Sequence, residues 1–327
     1  MSVPVIDAAA IASALTRADA VAAIEEALRA GQDVEADTPR LFRQLGAGEF
    51  LLMPAESSAH AGVKVATVAP GNPARGLPKI HAWYLLFDAQ TLQPAALLEG
   101  TYLTILRTPA VTAAAIRALL RADSSGARDG IDRLLVMGTG PQAEAHVRTL
   151  ADILPVGRVD VVGRNAERAA ALADRLAADG MEARPGSREA AREADVIVTA
   201  TSSSAPVLDL DDVAPDAVVA AIGAHGPDHR ELGADLVRGA DLVVEARASA
   251  FRESGNLLQA RSVDGWKAGL QHVANLRELV GDGIERRPGR PAVYAGVGMS
   301  WEDLAIAEKI MRRLAPHRSG HSEEGAS

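Results

Sequence analysis

Residues 221–232 read AIGAHGPDHREL and place two histidines, His225 and His229, on a turn that ends a fully apolar run. An unperturbed imidazole titrates near pH 6.5, so a histidine there can exchange a proton around neutrality. The plainer alternative is a solvated turn. A second set of groups is cationic. Lysine occurs only at 64, 79, 267 and 309, and arginine supplies nearly all the other positive charge. Lys64 lies in GVKVATVAP between Val63 and Val65, so it projects to the opposite face of a pleated strand. Compositional bias is the bland account of so few lysines. In a chain that otherwise uses arginine, a lysine inside a strand also marks a site that needs a compact ammonium. Arg107, in LRTPAV, precedes Thr108 and Pro109, which read as N-cap and first position of an Ala-rich helix ending near Arg121. On that reading, free backbone N–H groups and the guanidinium together receive a carboxylate or a phosphate.

The elements that must position these groups change character along the chain. Residues 6–30 carry the pattern of one or two amphipathic helices, with Gly31 as a natural stop. EFLLMPA, AGVKVATVAP, KIHAWYLLFDA and PAALLEG are strand-length runs separated by Pro/Gly breaks, and PGNPARGLP (70–78) is a shaped loop. His81, in the third of these runs, reads as a core or interface histidine. RADSSGARDG (121–130) is a polar linker. From Ile131 onward strands and helices alternate: DRLLVMG, PQAEAHVRTLADIL, RVDVVGR, NAERAAALADRLAADG, MEARP and SREAAREA, then the buried strands DVIVTAT, AVVAAIGA and DLVVEA. Continuous apolar strands alternating with helices predict a parallel sheet covered on both faces. Ser300 and Asp303 resemble a capping box at the start of a last helix, and the tail from His317 is polar.

The first strand-to-helix turn of that second half reads MGTGPQA, with Gly138, Gly140 and Ala143 at the three positions of a G-x-G-x-x-A turn. Small residues there let a pyrophosphate approach the backbone and lie on the helix N-terminus, so the turn predicts a dinucleotide site. Thr139 and Gln142 belong to the same turn. At the end of the next strand, VVGRN offers Gly163, Arg164 and Asn165 where NAD sites usually carry an acid. A guanidinium there favours a 2′-phosphate, hence NADP(H), with NAD(H) as the alternative. Thr201 and Ser202, after the fourth strand, are expected to line the dinucleotide.

The bulk properties exclude several classes. The 327 residues suffice for two domains. A net charge of −9 argues against a nucleic-acid partner, and the absence of cysteine removes thiolate and Cys–zinc chemistry; no metal site is expected. With no 18-residue apolar run and no basic segment leading an apolar one at the N-terminus, a cytoplasmic protein with no membrane partner is expected.

With those pieces placed, the sequence resembles the ornithine cyclodeaminase/mu-crystallin family over nearly its whole length. The resemblance is carried by LMPA (52–55), GVKVATVAPGNPARGLP (62–78), the run 84–111, GTGPQAEAH (138–146), GPDHREL (226–232) and GVGMSWED (296–303). It implies an α/β chain in which a Rossmann domain (121–298) is inserted in an α+β substrate-binding and dimerisation domain (1–120 with 299–327). It also implies a homodimer, and chemistry on small amino or imino acids with NAD(P)(H). Carried over by position, Arg40, Lys64 and Arg107 hold the substrate carboxylate, and Arg107 and Thr108 also face the cofactor. Val297 and Gly298 pack by substrate and nicotinamide, His229 faces cofactor or solvent, and Lys64 and His225 are the candidates for proton transfer. Two positions depart from the cyclodeaminase members, which have Asp where this chain has His225 and an acid where it has Leu51. Without those carboxylates, a diamino acid's distal ammonium would be buried unpaired, at a cost of several kcal/mol. The expected activity is therefore reduction of a cyclic imino acid such as Δ1-pyrroline-2-carboxylate or Δ1-piperideine-2-carboxylate. The alternatives are an ornithine cyclodeaminase, an acyclic amino-acid dehydrogenase, and a non-enzymatic ligand carrier.

Overall fold

The computed structural model describes residues 3–123, 126–224 and 226–315. The expectations for His225 and for the tail from His317 lie outside the described residues. The first half begins with β1 (Val5–Ile6), α1 (Ala8–Ala14) and α2 (Arg17–Arg29). Thr16 and Asp19 form a reciprocal capping box on α2, and Gly31 follows the helix in the left-handed region at φ 94°. Then come β2 (Leu41–Leu45), β3 (Gly48–Glu56), β4 (His60–Val68), β5 (Ile80–Asp88), β6 (Pro94–Glu99) and α3 (Gly100–Arg121). These strands form a mixed six-stranded sheet in the order β1-β6-β5-β4-β3-β2, antiparallel except where β1 joins β6.

The second half contains β7 (Ile131–Met137), α4 (Pro141–Ile153), β8 (Val156–Val162), α5 (Ala166–Ala178), β9 (Glu182–Pro185), β10 (Val196–Thr199) and β11 (Val218–Ala221). It continues with α6 (Ala234–Gly239), β12 (Asp241–Val244), α7 (Arg247–Glu253), α8 (Gly255–Leu258), α9 (Val263–Lys267), β13 (Val273–Asn275) and β14 (Ala292–Ala295). All eight strands are parallel, in the order β13-β12-β14-β11-β10-β7-β8-β9. The order reverses between β7 and β10, where an open α/β sheet forms its ligand crevice. The chain ends on α10 (Ser300–Leu314), which returns to pack on α2, α3, β3 and β4. The fold is thus α/β, a Rossmann-like parallel sheet joined to a mixed sheet. β2, β13 and the short helices α7, α8 and α9 were not legible in the pattern, and SREAAREA forms only a 3-10 turn, Arg188–Arg192.

One expectation fails in a way that matters for the site. The helix carrying Arg107 starts nine residues earlier than Thr108 and Pro109 suggest. Glu99 is its N-cap, accepting from the amides of Thr101 and Tyr102, while Thr108 and Pro109 lie inside it. The favoured place of proline at a helix start is overridden by packing: Leu103, Leu106, Ala110 and Val111 are all buried and continue one apolar face across the proline. Arg107 therefore does not stand at a free helix N-terminus. α3 is instead a spine between the two sheets, touching β5 on one side and β11 and β14 on the other. By length and composition it is apolar enough to cross a membrane, contrary to the expectation that no such run exists, yet it is mostly buried within the protein.

Candidate active site

The strand β4 alternates as expected, with an inversion of the usual sense. Gly62, Lys64 and Ala66 face the interior, while Val63, Val65 and Thr67 face outward. Lys64 is only 3% exposed, and its ammonium meets Asp303 Oδ2 at 2.7 Å and Thr104 Oγ1 at 3.4 Å. Burial, reinforced by the nearby Arg107 charge, lowers the Lys64 pKa from 10.5 to about 8, against the opposing pull of Asp303. Arg107 reaches the same place from α3. Its Nη1 donates to Glu302 Oε2 at 2.6 Å and its Nε lies 3.5 Å from Asp303 Oδ1. Burial works against this guanidinium's charge, but Asp303, Glu302 and Glu245 outweigh it and hold its pKa above the ordinary value. Glu302, fully buried and beside Glu245, is pushed well above the usual carboxylate range.

Arg40 arrives from the loop before β2. Its Nε pairs with Glu253 at 2.8 Å, and its Nη2 donates to the carbonyls of Val297 (2.8 Å) and Gly298. Arg107 packs on the other side of the same loop, since a Cβ added to Gly298, at φ 79°, would lie 2.8 Å from Arg107 Nη1. Glu245 fixes this loop from beneath, accepting from the amides of Val297 and Gly298 at 2.8 and 2.7 Å. The loop follows β14, at the C-terminal edge of the parallel sheet, where such folds hold ligands. Three cations from separate elements are thus linked, Arg40 and Arg107 at Gly298 and Lys64 to Arg107 through Asp303.

The glycine turn lies close by. Gly138 has φ 133°, and a Cβ there would meet Ala200 O at 2.4 Å. Gly140 is the N-cap of α4, and no side chain occupies the amides that follow. Buried Ala143 packs on the turn. This open cradle of N–H groups suits a pyrophosphate. Gln142 Nε2 reaches Thr104 O at 3.4 Å, so one α3 residue links the turn to Lys64. A Cβ on Gly163 would strike Thr139 Cγ2 at 2.5 Å, which keeps the crevice beside Thr139 narrow. Arg164 is exposed at the end of β8, and Asn165 caps α5 through its Oδ1.

The amide and hydroxyl of Thr201 both donate to buried Glu231 at 2.7 Å, so they latch the loop after β10 to residue 231, and Ser202 is exposed. His229 is exposed beyond β11, and His81 is exposed on the outer face of β5, which excludes a core role for it. Ser300 and Asp303 do not form a capping box. Asp37 caps α10 instead, accepting from the amides of Ser300 and Trp301 at 3.1 and 3.3 Å, and Asp303 is released to Lys64. Asp37, Thr104, Glu245, Glu253, Glu302 and Asp303 were not foreseen. The one available signal was Lys64 itself, because a buried ammonium requires a buried counter-ion.

A model of the ornithine cyclodeaminase/mu-crystallin family matches residues 3–317. The chain belongs to the ornithine cyclodeaminase/mu-crystallin family. Within this family the chain is similar to the Δ1-pyrroline-2-carboxylate/Δ1-piperideine-2-carboxylate reductase of Azospirillum brasilense, 36% identical over 97% of this chain and 98% of that one. Among solved structures it resembles Thermococcus litoralis Δ1-pyrroline-2-carboxylate reductase in complex with NADH and L-proline. That match has TM-score 0.83 at 25% identity and covers 95% of this chain and 97% of the other. An archaeal alanine dehydrogenase dimer with bound NAD superposes with the same TM-score, 0.83, at 26% identity, over 96% of both chains. Together with the glycine turn, these likenesses make the chain an NAD(P)-dependent enzyme of the ornithine cyclodeaminase/mu-crystallin family.

Proposed function

We propose that this chain is an NAD(P)H-dependent reductase of small cyclic imino acids, converting Δ1-pyrroline-2-carboxylate or Δ1-piperideine-2-carboxylate to L-proline or L-pipecolate. The observation that carries the proposal is a linked set of three cations, with Arg40 and Arg107 both at Gly298 and Lys64 on the Asp303 that Arg107 also faces. Cations presented from a loop, a strand and a helix hold a carboxylate and leave its α-carbon turned toward the crevice. The glycine turn would hold a nicotinamide dinucleotide, which when bound would supply hydride for reduction of the C=N carbon. Lys64 supplies the proton to the imine nitrogen, and His225, known here from sequence alone, is the other candidate for that step. Leu51 supports a substrate without a distal ammonium. It shares a face of β3 with Met53, which stands opposite Lys64, and so presents an apolar group on the Lys64 side. Val297, 2% exposed, lies on the loop that Arg40 and Glu245 hold.

The finer assignments follow the same reading. NADP(H) is preferred because Arg164 and Arg168, both exposed about one turn apart at the start of α5, present positive charge to a 2′-phosphate. The division into 121–298 and 1–120 with 299–327 is supported by the two separate sheets. A homodimer is supported by the outer face of the mixed sheet, described below. The test is NADPH and NADH oxidation against cyclic and acyclic imino acids, with ammonia release from ornithine measured in parallel. Turnover of the two cyclic imines without ammonia from ornithine is expected. Ammonia release with catalytic cofactor would identify a cyclodeaminase, reaction only with acyclic substrates a dehydrogenase, and cofactor binding without any turnover a ligand carrier.

A further inference from the structure

Two carboxylates stand side by side in the first turn of α10, and both are fully buried, with 0% of Glu302 and 0% of Asp303 exposed. Glu302 takes the Nη1 edge of Arg107. Asp303 lies between two cations, Lys64 Nζ at 2.7 Å on Oδ2 and Arg107 Nε at 3.5 Å on Oδ1. The geometry is tight to Lys64 and loose to Arg107: among the described residues neither Asp303 Oδ1 nor Arg107 Nε makes a hydrogen bond. A buried ion pair is a poor way to gain stability, because desolvation offsets most of the attraction and an apolar pair of like volume does as well or better. The neighbours of Lys64 on its strand face are Gly62 and Ala66, and the space a larger side chain at Gly62 would take is filled by the Tyr84 ring.

We propose that Asp303 is the positioning residue for proton delivery: it holds the Lys64 ammonium charged and aimed, and sets Arg107 at a fixed distance from it. This rests on the reading above in which Lys64 protonates the imine. In the step, one Lys64 N–H bond breaks and a new N–H bond forms on the substrate nitrogen as the reduced nicotinamide delivers hydride to the adjacent carbon. Lys64 is left as a neutral amine and regains a proton from solvent. Arg107 still faces Asp303, with Nε 3.5 Å from Oδ1, after the ammonium charge has gone. The charged and titratable groups facing this pair are Tyr84 on β5, Arg107 on α3, Glu302 and Glu308 on α10, and Glu245 after β12. Of these, Arg107 lowers the Lys64 pKa while Asp303 and Glu302 raise it, so removing the Asp303 charge must move Lys64 further down.

The experiment compares Asp303→Asn, Asp303→Glu and Lys64→Arg as full-length chains, with the kcat–pH profile for a cyclic imine and NADPH binding by fluorescence. Because the sequence has only four lysines, carbon-13-labelled lysine also reports the Lys64 titration without turnover. Asp303→Asn is expected to lose about tenfold or more in kcat at pH 8, and its alkaline limb and the Lys64 resonance titrate about one pH unit or more lower. NADPH binding is unchanged. Asp303→Glu keeps the charge but displaces the ammonium; it retains the position of the limb and loses kcat several-fold. An Asp303→Asn profile scaled down uniformly with its limb unmoved would indicate a structural role and overturn the proposal. If Asp303→Asn does not fold, an Asp303→Glu enzyme as fast as wild type overturns it equally. Lys64→Arg tests the underlying reading alone: an active Lys64→Arg enzyme would refute Lys64 as proton donor whatever Asp303 does.

Discussion

Lys64 was legible because its type was out of place, a lone lysine in an apolar strand of an arginine-rich chain. Its partners were not, since Asp303 lies 239 residues away and Thr104 lies 40 away. Sequence spacing carries no trace of contacts made by returning elements. Arg107 was found for a reason that did not hold: the free helix start imagined beside it does not exist, and the guanidinium works from mid-helix through Glu302 and Gly298. The glycine turn was legible because its constraint is local, with backbone φ and close approach both written in Gly138. The same local logic applies to cofactor choice. Arg164→Ser is expected to weaken NADPH binding about tenfold while leaving NADH within about twofold, as read by fluorescence titration. Equal losses for both cofactors would remove the case for a 2′-phosphate contact.

At the scale of elements, the most consequential packing is that of α10 on α3 and β4, and its start depends on a residue 263 positions earlier. Asp37 replaces the local capping box that Ser300 and Asp303 suggested. Burial raises the Asp37 pKa from 3.8 to about 6, opposed by the two amides it accepts from. The native state therefore binds this proton more tightly than the unfolded chain. The Asp37 contribution to stability is fully present below about pH 4 and falls as pH rises toward 6. Asp37→Asn keeps an acceptor and removes that fall, so the thermal stability of wild type relative to Asp37→Asn should decline between pH 4.5 and 7.5. Asp37→Ala, which loses the cap, should be less stable than Asp37→Asn by about 1 kcal/mol at both values. A pH-independent gap between wild type and Asp37→Asn would show that the buried charge is not felt.

At the scale of the molecule, alternation in the first half and βα alternation in the second predicted the two sheets, because each period follows from which faces are buried. What alternation could not convey is that the mixed sheet is apolar on both faces. Its inner face covers α3 and α10. Its outer face leaves Leu41, Leu45, Phe50 and Trp83 exposed, Trp83 by 43%. An apolar surface of that kind on a sheet calls for a partner, and a second copy of this chain is the occupant proposed. Light scattering should give twice the 34.0 kDa chain mass for wild type and the single mass for Trp83→Glu. A monomeric wild type would contradict it.

The central claim is net reduction of a cyclic imine, and isotope transfer tests it most directly. NADPH carrying deuterium at nicotinamide C4, on the face from which hydride is transferred, is incubated with Δ1-pyrroline-2-carboxylate or Δ1-piperideine-2-carboxylate, and the product is read by mass spectrometry. One deuterium at C2 of proline or pipecolate, with one cofactor oxidised per product, is the predicted result. No deuterium transfer to either imine, with ornithine instead converted to proline and ammonia on catalytic cofactor, would contradict the account.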